Sequence, residues 1–191
     1  LSSKVNVMGL TMVVANKTIW STGGDIRITV DSKATGADLR SPILAGNSAT
    51  PTSGGSISIS VIGSGGYRGL YTTSTGSITA FGDITIYGSN AQTAVPSWWT
   101  VAGFSGQEGL LLTGPVRSYA GNLALTGYAG GTYPAISVAA GAPLAAAGTV
   151  TIEARGKAAG FNLADSISAS GDISIAGYGS FVGDATTTNW G

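Results

Sequence analysis

One short pattern, Gly-x-Ile-x-Ile with its close variants, constrains the fold of this chain more than any other feature. It occurs six times: Gly24-Asp25-Ile26-Arg27-Ile28, Gly55-Ser56-Ile57-Ser58-Ile59, Gly82-Asp83-Ile84-Thr85-Ile86, Gly121-Asn122-Leu123-Ala124-Leu125, Gly148-Thr149-Val150-Thr151-Ile152 and Gly171-Asp172-Ile173-Ser174-Ile175. A looser copy, Lys4-Val5-Asn6-Val7, precedes them. Strict alternation of apolar and polar residues buries one face of a strand and leaves the other in solvent. Measured from the first inward residue, the copies are spaced 21, 31, 27, 39, 27 and 23 residues apart. Recurrence on that scale marks a solenoid, in which each repeat covers the apolar edge of its neighbour.

Shorter apolar pieces lie between the copies, such as Gly69-Leu70-Tyr71-Thr72 with Ser77-Ile78-Thr79-Ala80, and Gly160-Phe161-Asn162-Leu163 with Ser166-Ile167-Ser168-Ala169. Each coil then reads strand, turn, strand, turn, strand. The expected fold is all-β: a parallel, right-handed β-helix of about seven coils with three short strands each, filling residues 1–191 as a single domain. Stacking the coils predicts one inward column of Val5, Ile26, Ile57, Ile84, Leu123, Val150 and Ile173. A second runs Val7, Ile28, Ile59, Ile86, Leu125, Ile152 and Ile175. A third, Gly9, Val30, Val61, Gly88, Gly127, Ala154 and Gly177, narrows where the chain turns; its glycines are expected there for their tolerance of positive φ. No helical stripe survives among so many Gly, Thr and β-branched residues.

Two stretches exceed the coil length and read as surface insertions, one within 34–53 and one at 89–109. The second carries Trp98 and Trp99, the candidate binding residues, because tandem indoles in a loop offer flat apolar area to a sugar ring or a protein pocket. Trp20 and Trp190, near the two ends, are expected to pack there.

Composition narrows the chemistry. Charged residues make up 9% of the chain, nine basic against nine acidic. That balance points away from nucleic acid and anionic membrane, which favour clustered Lys and Arg. Cys and His are both absent, which removes disulfides, thiolate and imidazole metal sites, and any triad built on His. No cofactor or metal is expected. No apolar run reaches the length of a membrane-spanning helix. The start at Leu1, with no leader pattern, suggests a processed product or a segment of a longer chain.

Surface chemistry offers little catalysis. The outward column Lys4, Asp25, Ser56, Asp83, Asn122, Thr149 and Asp172 never places two acids on adjacent coils. Glu153 and Asp172 are offset by four residues, roughly 14 Å at strand geometry, beyond the roughly 6.5–9.5 Å between the carboxyl groups of inverting glycosidases. They read as solvated acids near Arg155 and Lys157, so no enzyme is expected. Ranks of threonine for ice binding are interrupted by Arg27, Tyr87 and Ala124, and calcium-binding Gly-Gly-x-Gly-x-Asp repeats do not occur.

Segments such as 69–86, ending in Gly82-Asp83-Ile84-Thr85-Ile86, and Gly171-Asp172-Ile173-Ser174-Ile175-Ala176-Gly177 resemble the stalk repeats of the filamentous-haemagglutinin family of two-partner-secreted bacterial exoproteins. The resemblance covers most of residues 20–180. The Asn-Pro-Asn motif of that family's secretion domain is missing. What the resemblance implies is an extracellular or outer-surface stalk segment, structural and adhesive. Its partners would be host or neighbouring-cell surface proteins or glycans, or further copies of itself stacked end to end. The alternative is a β-helical carbohydrate-active protein, such as a polysaccharide lyase, a hydrolase or a phage tailspike segment.

Overall fold

The computed structural model of the chain describes residues 2–5, 8–12, 17–32, 35–63, 68–90 and 107–179. Every regular element among them is a strand. The first coil comprises β1 (Ser2–Val5), β2 (Met8–Met12) and β3 (Ile19–Ser21). Next come β4 (Ile26–Ser32), β5 (Thr35–Leu39) and β6 (Ile43–Ala45), then β7 (Ile57–Gly63), β8 (Leu70–Thr72) and β9 (Ile78–Ala80). The chain continues through β10 (Ile84–Ser89), β11 (Leu110–Leu112) and β12 (Val116–Ser118). Two further coils are β13 (Leu123–Ala129), β14 (Pro134–Val138) and β15 (Leu144–Ala146), followed by β16 (Val150–Gly156), β17 (Ala159–Leu163) and β18 (Ile167–Ala169). A last strand, β19 (Ile173–Gly179), begins the next turn.

Each strand pairs in parallel with its equivalents in the coils before and after, giving three sheets in the order β1-β4-β7-β10-β13-β16-β19, β2-β5-β8-β11-β14-β17 and β3-β6-β9-β12-β15-β18. This is the parallel β-solenoid that the repeats predict. The described strands close fewer than seven full coils, since the first sheet has seven strands and the others six.

Register in the first sheet follows the repeat from the second coil onward. Ile26, Ile57, Ile84, Leu123, Val150 and Ile173 lie opposite one another, as do Ile28, Ile59, Ile86, Leu125, Ile152 and Ile175. The first coil departs from expectation. Val5 pairs with Ser32, not with Ile26, Gly9 belongs to β2, and Val7 lies outside the described residues. Lys4-Val5-Asn6-Val7 lacks the leading glycine and the aliphatic pair, and alternation alone leaves a strand free to slide by two residues at a time.

Inward residues of all three sheets meet in one core. Ile28, Ile59, Ile86, Leu125 and Ile152 from the first sheet are at most 1% exposed. They pack with Leu39, Leu70, Leu110 and Ile136 of the second and with Ile43, Ile78, Val116 and Leu144 of the third. At the last described strand this cover ends: Ile173 and Ile175 stay in column but are 47% and 44% exposed.

The corner after the first sheet is packed by exchange of volume. A methyl on Gly88 would strike the Leu110 side chain, one on Gly127 would strike Ile136, and one on Gly36 would strike Val61. At these three places a large residue on one side of the corner meets a glycine on the other. Gly36, Gly88 and Gly127 are therefore there for close approach, whereas a methyl on Gly177 would meet nothing within 4 Å. Among the described glycines positive φ is confined to Gly54 and Gly141, in other turns.

The two expected insertions fare differently. The span 34–53 contains β5 and β6, so its excess shrinks to the turn that follows Ala45. Asn47 ties that turn together, its Oδ1 accepting from Thr52 N at 3.0 Å and its Nδ2 donating to Thr52 Oγ1 at 3.0 Å. Within the stretch 89–109, residues 91–106 lie outside the described residues.

Candidate functional site

Trp98 and Trp99, the candidates read from the sequence, lie outside the described residues, as does Trp190. What the structure places is the base of the insertion that carries the tandem pair. Asn90, 1% exposed, donates from Nδ2 to the Gln107 carbonyl and accepts at Oδ1 from Gly130 N at 3.0 Å. Its own backbone N–H donates to the Tyr128 carbonyl at 3.2 Å. One buried amide thus joins both ends of the insertion to the next coil. Beside it, Glu108 accepts from Arg68 Nε at 3.1 Å, and the Arg68 guanidinium sits 5.0 Å from the Tyr71 ring centroid. No spacing rule in the sequence marks Asn90; its only signal is a side-chain amide at the point where the coil length changes.

Trp20 does not pack as expected. It faces outward from the third sheet, 56% exposed, with Nε1 donating to the Gly46 carbonyl at 2.6 Å. Its ring lies over the surface and contributes little to the core.

The outward column at the start of the first sheet is a ladder. Asp25 Oδ1 accepts from Ser56 N at 2.8 Å, and Ser56 Oγ accepts from Asp83 N at 3.1 Å. Asp83 Oδ1 accepts from Asn122 N at 2.7 Å, and Asn122 Oδ1 accepts from Thr149 N at 2.8 Å. Each short polar side chain receives the amide of its counterpart one coil on. The adjacent amides run the other way: Ile57, Ile84, Leu123 and Val150 donate to the carbonyls of Asp83, Asn122, Thr149 and Asp172. Asp25 and Asp83 are hydrogen-bond acceptors in the frame of the fold.

Glu153 lies opposite Ala176, four positions from Asp172 along the strand direction. It is paired instead with Arg155, whose Nε and Nη2 reach the same carboxylate oxygen at 2.7 and 2.6 Å. That bond, above all, holds the Arg155 guanidinium above its ordinary pKa.

Around this ion pair the first sheet carries its most varied surface. Tyr128, Arg155 and Tyr178 share one outward column on successive strands. Arg155 stands 5.0 Å from the Tyr178 ring centroid. The Tyr87 ring lies 5.7 Å from that of Tyr128, tilted by 47°, and burial pushes the Tyr87 phenol above its usual pKa. Elsewhere the same sheet face is mainly Ser, Thr and Ala. Sequence reading names Tyr87 only as an interruption of threonine ranks and does not single out Tyr128 or Tyr178; stacking the coils brings the three together.

No protein-family model matches the chain. No curated protein matches it, and no solved structure does.

Proposed function

We propose that this chain is a structural and adhesive β-solenoid segment of a large bacterial surface or secreted exoprotein, acting outside the cell. The observation that supports this reading best is the unbroken parallel register of the first sheet from Ile26 to Ile175, whose outward side chains are mostly small and polar. Such a stack is a stiff spacer whose length grows by about 4.8 Å per coil. The resemblance of its Gly-Asp-Ile-x-Ile repeats to filamentous-haemagglutinin stalks supports a place outside the cell.

Adhesion on this reading belongs to the Trp98-Trp99 insertion, which Asn90 anchors to the rod. An aromatic anchor in a desolvated contact is worth roughly 2 kcal/mol or more, at least about a 30-fold change in affinity. Trp98→Ala together with Trp99→Ala should weaken attachment of protein-coated beads to cells by at least tenfold, with the melting temperature nearly unchanged. Full attachment by the double variant, or a large fall in its melting temperature, would overturn the assignment of adhesion to this loop.

A further inference from the structure

We propose that the outward face formed by Tyr128, Glu153, Arg155 and Tyr178 is a binding site for a neutral polysaccharide. This deepens the adhesive reading, on which its biological role rests, and it concerns residues other than those of the tryptophan insertion.

Four features carry the inference. Both contacts of the ion pair fall on Glu153 Oε1, so Oε2 and Nη1 remain uncommitted to each other, an acceptor beside a donor. The side chains are 37% and 34% exposed, open enough to meet a ligand and constrained enough to hold their geometry. A vicinal diol matches that pair, since one hydroxyl donates to the carboxylate while the other accepts from the guanidinium. The pair is neutral as a unit, so an anionic ligand meets Glu153 and a cationic one meets Arg155, and an uncharged ligand meets neither penalty.

The tyrosines supply the remainder of the recognition. The negative face of an aromatic ring attracts the C–H face of a pyranose, which has no charge of its own. Tyr178 is 48% exposed, and Tyr128 lies two coils away in the same column. Two coils span about 10 Å along the solenoid axis, so the rings can take alternate sugars of an extended chain lying parallel to the axis. The charged pair falls between them, at the intervening sugar. A polypeptide would be poorly served here, because the centre of the patch is an ion pair and offers no apolar pocket.

The test is affinity electrophoresis of the 191-residue chain through native gels cast with hydroxyethylcellulose, dextran, galactomannan or soluble starch, with alginate as the acidic control. Retardation in at least one neutral gel is expected, reduced at least tenfold in apparent affinity by Tyr178→Ala and by the isosteric Glu153→Gln. Melting temperatures qualify each variant as folded, and Glu153→Gln keeps the test decisive if Tyr178→Ala does not fold. The proposal is overturned by free migration in every neutral gel, by retardation in alginate alone, or by retardation unaffected in folded Glu153→Gln. Any of these outcomes alongside intact bead attachment removes the polysaccharide site and leaves the adhesive rod standing.

Discussion

At the scale of single residues, the ladder column shows what the polar position after each repeat glycine is for. Asp25, Ser56, Asp83 and Asn122 differ in charge but share a short side chain ending in an acceptor oxygen. Asn122 does the most, since its Oδ1 receives both the Thr149 amide and the Thr149 hydroxyl, and its Nδ2 donates to Asp83. Asn122→Ala should cost about 1–2 kcal/mol, because a neutral hydrogen bond is worth about 1 kcal/mol net and the site is exposed enough for water to replace part of the loss. Asn122→Asp keeps the acceptor for Thr149 and should cost less, although it sets a second carboxylate against Asp83. Urea unfolding of the two variants checks the order. Alanine and aspartate variants of equal stability would mean that the ladder contributes nothing.

At the scale of elements, the corner between the first and second sheets predicts coupled mutations. A Cβ on Gly127 would collide with the Ile136 side chain and stand 2.8 Å from the Ala135 carbonyl. Gly127→Ala should therefore destabilise by about 1–3 kcal/mol through overpacking. Ile136→Ala alone should cost about 2–5 kcal/mol by leaving a cavity. Together they should cost clearly less than the sum, because each relieves the fault of the other. Additive losses in denaturant unfolding would rule out the exchange of volume across the corner. This pairing also shows where sequence reading succeeds and where it stops. Alternation with a fixed aliphatic pair placed six strands of the first sheet in register, because a slip by one residue would turn every isoleucine into solvent. The purpose of Gly88 and Gly127 is not legible in the sequence, because a glycine needed for space and one needed for φ are identical as letters. The Tyr128, Arg155 and Tyr178 column was hidden for a related reason: residues 23 to 27 apart become neighbours only after the coils are stacked.

For the whole molecule, stability is expected to vary along the axis. In a solenoid each coil touches only the coils beside it, so an end coil lacks half of its interface. Leu163, Ile173 and Ile175 are the visible sign of this, all 40% exposed or more. Native-state hydrogen exchange should find the slowest amides in β7, β10 and β13, and much faster exchange in β17, β18 and β19, which open without the rest. Uniform protection from β7 to β19 in a dilute sample would contradict nearest-neighbour stability.

The ladder has one more consequence, for how such a rod tolerates change. Successive first-sheet strands begin 31, 27, 39, 27 and 23 residues apart, yet Ile26 to Ile173 stay in a single file. From Asp25 to Thr149 each circuit starts by seating an amide on the side chain one storey below, so the count begins again from zero and no error in circumference is passed upward. Lengthening a turn then costs mainly loop entropy, about 0.6 kcal/mol for each doubling. The frame keeps alignment and loop length as separate variables, which leaves its corners free to gain or lose residues while the column of isoleucines remains straight.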